Sequence, residues 1–269
     1  MKRSDIFRRL HHAPPVLRLP NCWDPASARI FEVAGFPAVG TSSAAVANAL
    51  GVPDGDCLDV SAHLSAITRI TAVVTVPVSV DFESGYAADA AKLARNIARL
   101  AVTGAAGYNL EDSRVKGELY SIDEQCERIA AAKTAAPTLF LNARTDIYLD
   151  AIGDSATRLE RTKERLAAYL AAGADGIFVP GIDDEPTIAD IAQAFRKKPL
   201  NILAGPATPP VADLERFGVS RVSVGSWPMR RTMAVLREIA REIHHAGTFG
   251  FMREPHIPYE EMNALFART

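Results

Sequence analysis

The sequence predicts an α/β fold, a (β/α)8 TIM barrel, and three observations carry that expectation. One pattern recurs along the 269 residues: a short apolar run, a polar or glycine-bearing turn, then an Ala-rich amphipathic stretch. The runs are read as apolar throughout, as parallel strands buried on both faces are. Eight of them separated by helical patterns, in a chain of this length, are what such a barrel needs. The alternative, a doubly wound open sheet, calls for a glycine-rich phosphate turn after its first strand. Here that turn reads Asn21-Cys22-Trp23-Asp24-Pro25.

Residues 1–15 are expected to form an N-terminal helical extension. The strand runs follow at Val16–Pro20, Ala38–Thr41, Val78–Val80, Gly107–Leu110, Thr138–Asn142, Gly176–Val179, Leu200–Leu203 and Arg221–Val224. Between them, Ala87–Val102 has a helical apolar stripe. Ser121 with Glu124 three residues on is a capping box. Ser155–Ala172 stops at Gly173. The stretches Glu32–Gly35, Leu100–Gly104, Ala171–Ala174 and Arg216–Val219 each close a helix with a small-residue turn. After the eighth run come a helix at Pro228–Ala246, a loop at Gly247–Pro258 and a short helix from Tyr259. Phe249, Phe251 and Met252 in that loop need a covering surface, on the same barrel or on a second subunit. Residues 1–269 are read as one barrel domain with 228–269 as its C-terminal helical segment.

Composition narrows the function. Hydrophobic residues are 48% and charged residues 23%, which excludes a disordered chain. Lys+Arg number 30 against 32 Asp+Glu, for a formal charge of −2, so no basic face for nucleic acid is expected. Cys22, Cys57 and Cys126 are irregularly spaced and form neither a disulfide framework nor a zinc signature, so a cytoplasmic location is expected. The N-terminus has no apolar h-region, and no apolar run reaches about 18 residues, so no membrane span is expected.

In such a barrel the residues that end the strands form the active site. The second run ends in Gly40-Thr41-Ser42-Ser43, with Asp54 following. The third ends in Asp81-Phe82-Glu83-Ser84-Gly85-Tyr86, the fourth in Asn109-Leu110-Glu111-Asp112, the fifth in Asn142-Ala143-Arg144-Thr145-Asp146. Asp81, Glu83 and Glu111 then converge on one mouth, with Asp54 as fourth candidate. Unpaired, such a cluster repels itself. A hard divalent cation resolves the repulsion, and an all-oxygen, His-free set suits Mg2+ or Mn2+. The competing use of Asp81, Asp112 and Asp146 is helix N-capping. Arg144 is expected to bind a carboxylate or phosphate through its fork, or else to pair with Glu111 or Asp146. Ser42 and Ser43 offer hydroxyls and backbone N–H groups to a second anionic group, or cap the helix that begins at Ala44. Asn201 in the seventh run joins the substrate-binding set. Of the six histidines none ends a strand, so a Ser-His-Asp hydrolase is not expected. Cys22 reads as a buried, inert thiol. The charged loop Asp112–Tyr120, with Gly117 near its middle, is expected to be a mobile gate. Lys116 or Arg114 would close it over the substrate, and Lys116 is a catalytic candidate.

These segments, with Leu50-Gly51-Val52-Pro53-Asp54 and Gly173-Ala174-Asp175-Gly176-Ile177-Phe178-Val179-Pro180-Gly181, resemble the isocitrate lyase / phosphoenolpyruvate mutase superfamily from about Val16 to Met233. The resemblance implies Mg2+ bound at Asp81, with Asp54, Glu83 and Glu111 holding it directly or through its waters. It implies that Arg144, with the Ser42–Ser43 turn, holds an α-oxycarboxylate, and that C–C or P–C bonds next to a 2-oxo acid are cleaved or formed, often through an enolate. It also implies a homo-oligomer, dimer or tetramer, whose eighth helix is swapped between barrels. The loop Asp112–Tyr120 departs from the family patterns. It has neither the cysteine and histidine of isocitrate lyases nor the lysine-threonine-asparagine of phosphonomutases. Three readings follow: a Mg2+-dependent lyase or decarboxylase acting on a small di- or tricarboxylate, a phosphonomutase or phosphonopyruvate-type hydrolase, and a catalytically silent anion-binding barrel.

Overall fold

Nine parallel strands form a single sheet whose two ends are halves of one run, which closes it into a barrel. The computed structural model describes residues 1–267. Helix α1 (Arg3–Leu10) precedes β1 (Leu17–Leu19) and β2 (Asn21–Cys22). Then come α2 (Pro25–Val33), β3 (Val39–Thr41), α3 (Ser43–Ala49), α4 (Val60–Val73), β4 (Val78–Asp81), α5 (Ala90–Ala101) and β5 (Gly107–Glu111). A two-stranded hairpin, β6 (Ser113–Val115) and β7 (Glu118–Leu119), leads into α6 (Ile122–Ala135). The second half holds β8 (Phe140–Arg144), α7 (Ser155–Ala171), β9 (Gly176–Val179), α8 (Glu185–Ala194), β10 (Leu200–Leu203), α9 (Val211–Phe217), β11 (Arg221–Ser223) and α10 (Trp227–Arg241). A π-helical turn at Glu242–Ala246, a 3-10 turn at Gly250–Arg253 and α11 (Tyr259–Ala264) finish the described chain.

The first predicted run splits at Pro20, which has no N–H to give to a ladder. Its first half pairs with the last strand (Leu17↔Arg221) and its second half with β3 (Asn21↔Gly40). The fifth run begins two residues later than predicted, because Pro137 and Thr138 lie in a turn, and so Arg144 becomes the last residue of β8. Helix α5 starts at Ala90 rather than Ala87, where the Asp89 side chain accepts from Lys92 N at 2.7 Å. The Ser121–Glu124 capping box is present, and Gly173 takes φ +111° after α7.

The strands are not apolar throughout. Val78 and Val80, Tyr108 and Leu110, and Leu141 and Ala143 pack outward with helix residues such as Ile67, Leu93, Ile97 and Ile129. Leu200, Ile202 and Val222 do the same with Leu166, Ile188, Ile191 and Leu214. The alternate residues Ser79, Asn109, Asn142, Asn201, Arg221 and Ser223 are buried and hydrogen-bond one another across the barrel interior. At the strands' N-terminal end, α1 plugs the barrel with Phe7, fully buried against Leu17, Leu19, Ala38 and Phe140. Gly107 makes room for it: a Cβ there would lie 2.9 Å from the Phe7 ring and 2.7 Å from Phe140 O. Among the described residues no helix is long and apolar enough to cross a membrane.

Candidate active site

At the opposite end the strands deliver their last residues to a cleft of about 920 Å³, lined by Asp54, Asp56, Glu111, Arg114, Lys116, Arg144, Asp146, Leu149 and Asp150 among others. Register sets this up. Asp81 lies beside Asn109, and Glu111 beside Arg144, so three charged strand ends face one mouth.

Asp81 is held on both oxygens. Oδ2 accepts from Ser43 N at 3.2 Å and Ser43 Oγ at 3.0 Å, and Oδ1 accepts from Asn109 Nδ2 at 3.1 Å. Arg144 sits among three carboxylates. Its Nε and Nη2 grip Asp146 at 2.6 and 3.0 Å, and Nη1 lies 2.7 Å from Glu111 and 3.7 Å from Asp81. Burial works against its charge, yet Asp146, Glu111 and Asp81 together raise its proton affinity. The ion-pair alternative for Arg144 is thus present, with both of the acids named for it.

Glu83 has φ +48°, a left-handed conformation costly for a residue with a Cβ. Its Oε1 accepts from Tyr86 OH at 2.6 Å, and its Oε2 from Asp56 N. Burial, with the charges of Asp56 and Asp54 added, pushes its carboxyl up to about 7. Tyr86 OH also meets His63 Nδ1 at 2.7 Å. The phenol has one proton, given to Glu83, so His63 donates from Nδ1, and burial keeps its ring neutral with a pKa lowered to about 4. Burial raises Glu111 well above the carboxylate range, and the charges of Asp146, Asp81 and Glu83 add to that while Arg144 opposes it. Burial and the charge of Asp81 raise Asp54.

Four carboxylates that feel one another's charge, with one arginine already gripped by Asp146, make a field that favours a cation. Among the described residues no three acid, His or Cys side chains stand close enough to hold an ion directly between them. An all-oxygen, acidic donor set of this kind would suit a hard ion such as Mg2+, which dehydrates reluctantly; Asp81 would hold it, and Asp54, Glu83 and Glu111 would meet its waters.

Other expected residues fall differently. Asp81, Asp112 and Asp146 cap no helix, since the caps are Asp24, Ser42, Asp59, Asp89, Ser121, Asp154 and Asp184. Ser42 caps α3, and Ser43 is engaged with Asp81. Asn201 does not reach the cleft. It is the second residue of β10, points into the barrel and donates to Ser223 Oγ at 3.0 Å. The stretch Asp112–Tyr120 is an antiparallel hairpin rather than an irregular loop, with Lys116 and Gly117 at its tip. Cys22 is buried, and its thiol is pushed up to about 12, as an inert group should be. Residues missed in the sequence are His63, Arg128 and Arg221. Arg128 donates to the carbonyls of Ser84, Ala87 and Ala88 behind Glu83, and stacks 4.1 Å from the Tyr120 ring. It reads as an ordinary helix charge. Arg221 reads as the start of a strand.

A family model described as phosphoenolpyruvate phosphomutase matches residues 7–244. An uncharacterized protein of Mycobacterium tuberculosis is 34% identical over 96% of this chain and 95% of its own. A protein of Corynebacterium glutamicum named as a probable 2-methylisocitrate lyase is 31% identical, over 92% of this chain and 83% of its own length. The solved phosphoenolpyruvate phosphomutase of Streptomyces platensis superposes with a TM-score of 0.88 at 26% identity, over 97% of this chain and 94% of that one.

Proposed function

This chain belongs to the isocitrate lyase / phosphoenolpyruvate mutase superfamily, whose members are lyases and phosphomutases, and from that premise we propose that it is a Mg2+-dependent carbon–carbon lyase or decarboxylase. Its substrate is a small di- or tricarboxylate cleaved next to a 2-oxo or 2-hydroxy group. One observation carries the reading. Asp54 and Glu111 of the acid cluster line a cleft together with Arg144, itself 3.7 Å from Asp81, and with a hairpin that has neither cysteine nor histidine. Bond cleavage that leaves carbon dioxide asks less of a general acid at that hairpin than aldol-type cleavage does, so decarboxylation suits it.

Mg2+, or Mn2+ in its place, would polarise the substrate oxygen next to the breaking bond. The chain supplies the rest. Asp81 would hold the ion, with Asp54, Glu83 and Glu111 meeting its waters. Asp146 fixes one edge of Arg144, and Nη1, engaged here by Glu111, faces the mouth for a substrate carboxylate. The Ser42–Ser43 turn stands beside Asp81 for a second anionic group. Lys116 at the hairpin tip, with no ion-pair partner among the described residues, closes over the substrate's charge. Three free cysteines suit a cytoplasmic setting.

Oxaloacetate, substituted malates and phosphonopyruvate, each assayed with Mg2+, test the reading. Oxaloacetate or a substituted malate should turn over fastest, and both exhaustive chelation and Asp81→Ala should abolish the activity. Preference for phosphonopyruvate would move the assignment to a phosphonomutase or hydrolase. Full turnover without a divalent ion would overturn it.

A further inference from the structure

Arg221, the first residue of β11, is 1% exposed inside the barrel. Its neighbours are neutral. Nη1 donates to Ser79 Oγ at 3.4 Å and Nη2 to Asn109 Oδ1 at 3.2 Å, while Nε has no partner among the described residues. The Phe7 ring lies 6.0 Å away, and the nearby His11 is held neutral by burial. Two long hydrogen bonds are weak compensation for a guanidinium removed from water. Replacing so poorly paired a buried charge with an apolar side chain is often neutral or stabilising. The fold alone therefore gives no reason for an arginine here.

What Arg221 touches gives one. Asn109 Oδ1 accepts from both Arg221 and Asn142 Nδ2, the latter at 3.0 Å. Two donors on the oxygen leave the amide only one orientation, with its NH2 on Asp81 Oδ1. Arg221 is thus one amide behind Asp81. Burial lowers its proton affinity, and Asp81 is the charge that opposes this loss.

We propose that Arg221 is a positioning residue for the divalent cation: it turns Asn109 toward Asp81 and sets a fixed positive charge behind that carboxylate, which keeps the ion weakly held and exchangeable. This rests on the Mg2+ reading above. The fixed charge balances Asp81 before the ion arrives and repels the ion afterwards.

Mn2+ titration of the full-length protein, followed by electron paramagnetic resonance, tests it without any turnover. Wild-type protein should bind Mn2+, and Asp81→Asn should lose it. Arg221→Met and Arg221→Gln should bind Mn2+ about tenfold tighter or more, since a full charge near the ion is removed. Arg221→Lys, which keeps the charge, should stay near wild type. The neutral variants should melt no lower than wild type, whereas a merely structural arginine predicts lower melting and no tighter ion. Equal or weaker Mn2+ binding by folded neutral variants overturns the proposal, and so does failure of both to fold. If wild-type protein binds no Mn2+, the Mg2+ reading itself fails and this inference with it.

Discussion

Arg144 divides its guanidinium between two tasks. The Nε/Nη2 edge is fixed by Asp146, and Nη1 is left toward Glu111 and the mouth. A lysine gives a point charge and no fork. Arg144→Lys should therefore reduce kcat/KM by about 10²-fold, on the order of one lost charged contact of 2–3 kcal/mol, in steady-state kinetics on the best substrate. An unchanged kcat/KM would leave Arg144 as an ion-pair residue only. The strand-end position of Arg144 was legible in the sequence. Its simultaneous grip on Asp146 and Glu111 was not, because the two acids read as alternatives until the β5–β8 register sets Glu111 beside Arg144. His11 makes a different residue-scale prediction. It is buried, its ring stacks 4.1 Å from Phe140, and Nδ1 donates to Phe7 O at 2.8 Å. Burial first, then the charge of Arg221, lowers its pKa from 6.5 to about 3. Between those values the unfolded chain takes up a proton that the folded chain refuses. The stability His11 contributes is thus fully present above pH 6.5 and falls as pH drops toward 3. Relative to His11→Gln, the wild type should lose about 1.4 kcal/mol per pH unit below 6.5 in urea unfolding at pH 7 and pH 5. Parallel losses in both proteins would show that His11 does not stay neutral.

Among the elements, the hairpin β6–β7 combines a fixed stem with a lightly held tip. Tyr120 N donates to Asp112 O at 2.8 Å, and Arg165 Nη1 binds both Asp112 and the Tyr120 carbonyl, so both ends are pinned. The tip is tied through Gly117 N to Asp150 Oδ2 at 3.0 Å. Such a hairpin can gate the cleft by bending beyond its stem. Trypsin should cut after Arg114 or Lys116, more slowly once Mg2+ and the planar dianion oxalate are added, and faster in Asp150→Ala. Equal cleavage rates in all three cases would argue against a gate. The hairpin's strands were not readable beforehand, since three and two residues are too few to show an alternation. The helices were, because the capping pair Ser121–Glu124 and stops such as Gly173 act locally. The polar face of the strands was hidden for a third reason. In runs such as Leu200–Leu203 a single asparagine reads as noise until the neighbouring strand β11 brings Ser223 to meet it.

For the whole molecule, the open question posed by the chain is what covers its C-terminal end. The barrel itself is plugged by α1 at one end, and the hairpin borders the cleft at the other. Beyond β11 the burial pattern changes. Within α10 only Met229 is buried, and Trp227, Leu236, Phe249, Met252, Tyr259 and Phe266 are all at least 40% exposed. Among the described residues one side-chain hydrogen bond returns the tail to its own barrel, Arg29 Nε donating to Leu265 O at 2.8 Å. One hydrogen bond leaves that apolar surface in water, a liability for a lone subunit. An identical partner would bury it with no new sequence, as closed symmetric assemblies do. We therefore expect a homo-oligomer, dimer or tetramer, in which α10 and the segment after it pack on a neighbouring barrel. Light scattering at micromolar concentration should give a mass of at least twice the 29.0 kDa chain. Truncation after Gly247 should yield monomers or aggregates rather than a smaller stable assembly, because the exchanged surface is lost while its receiving face stays exposed. A full-length protein that remains a monomer at that concentration would refute the exchange, and so would a tail found packed entirely on its own barrel.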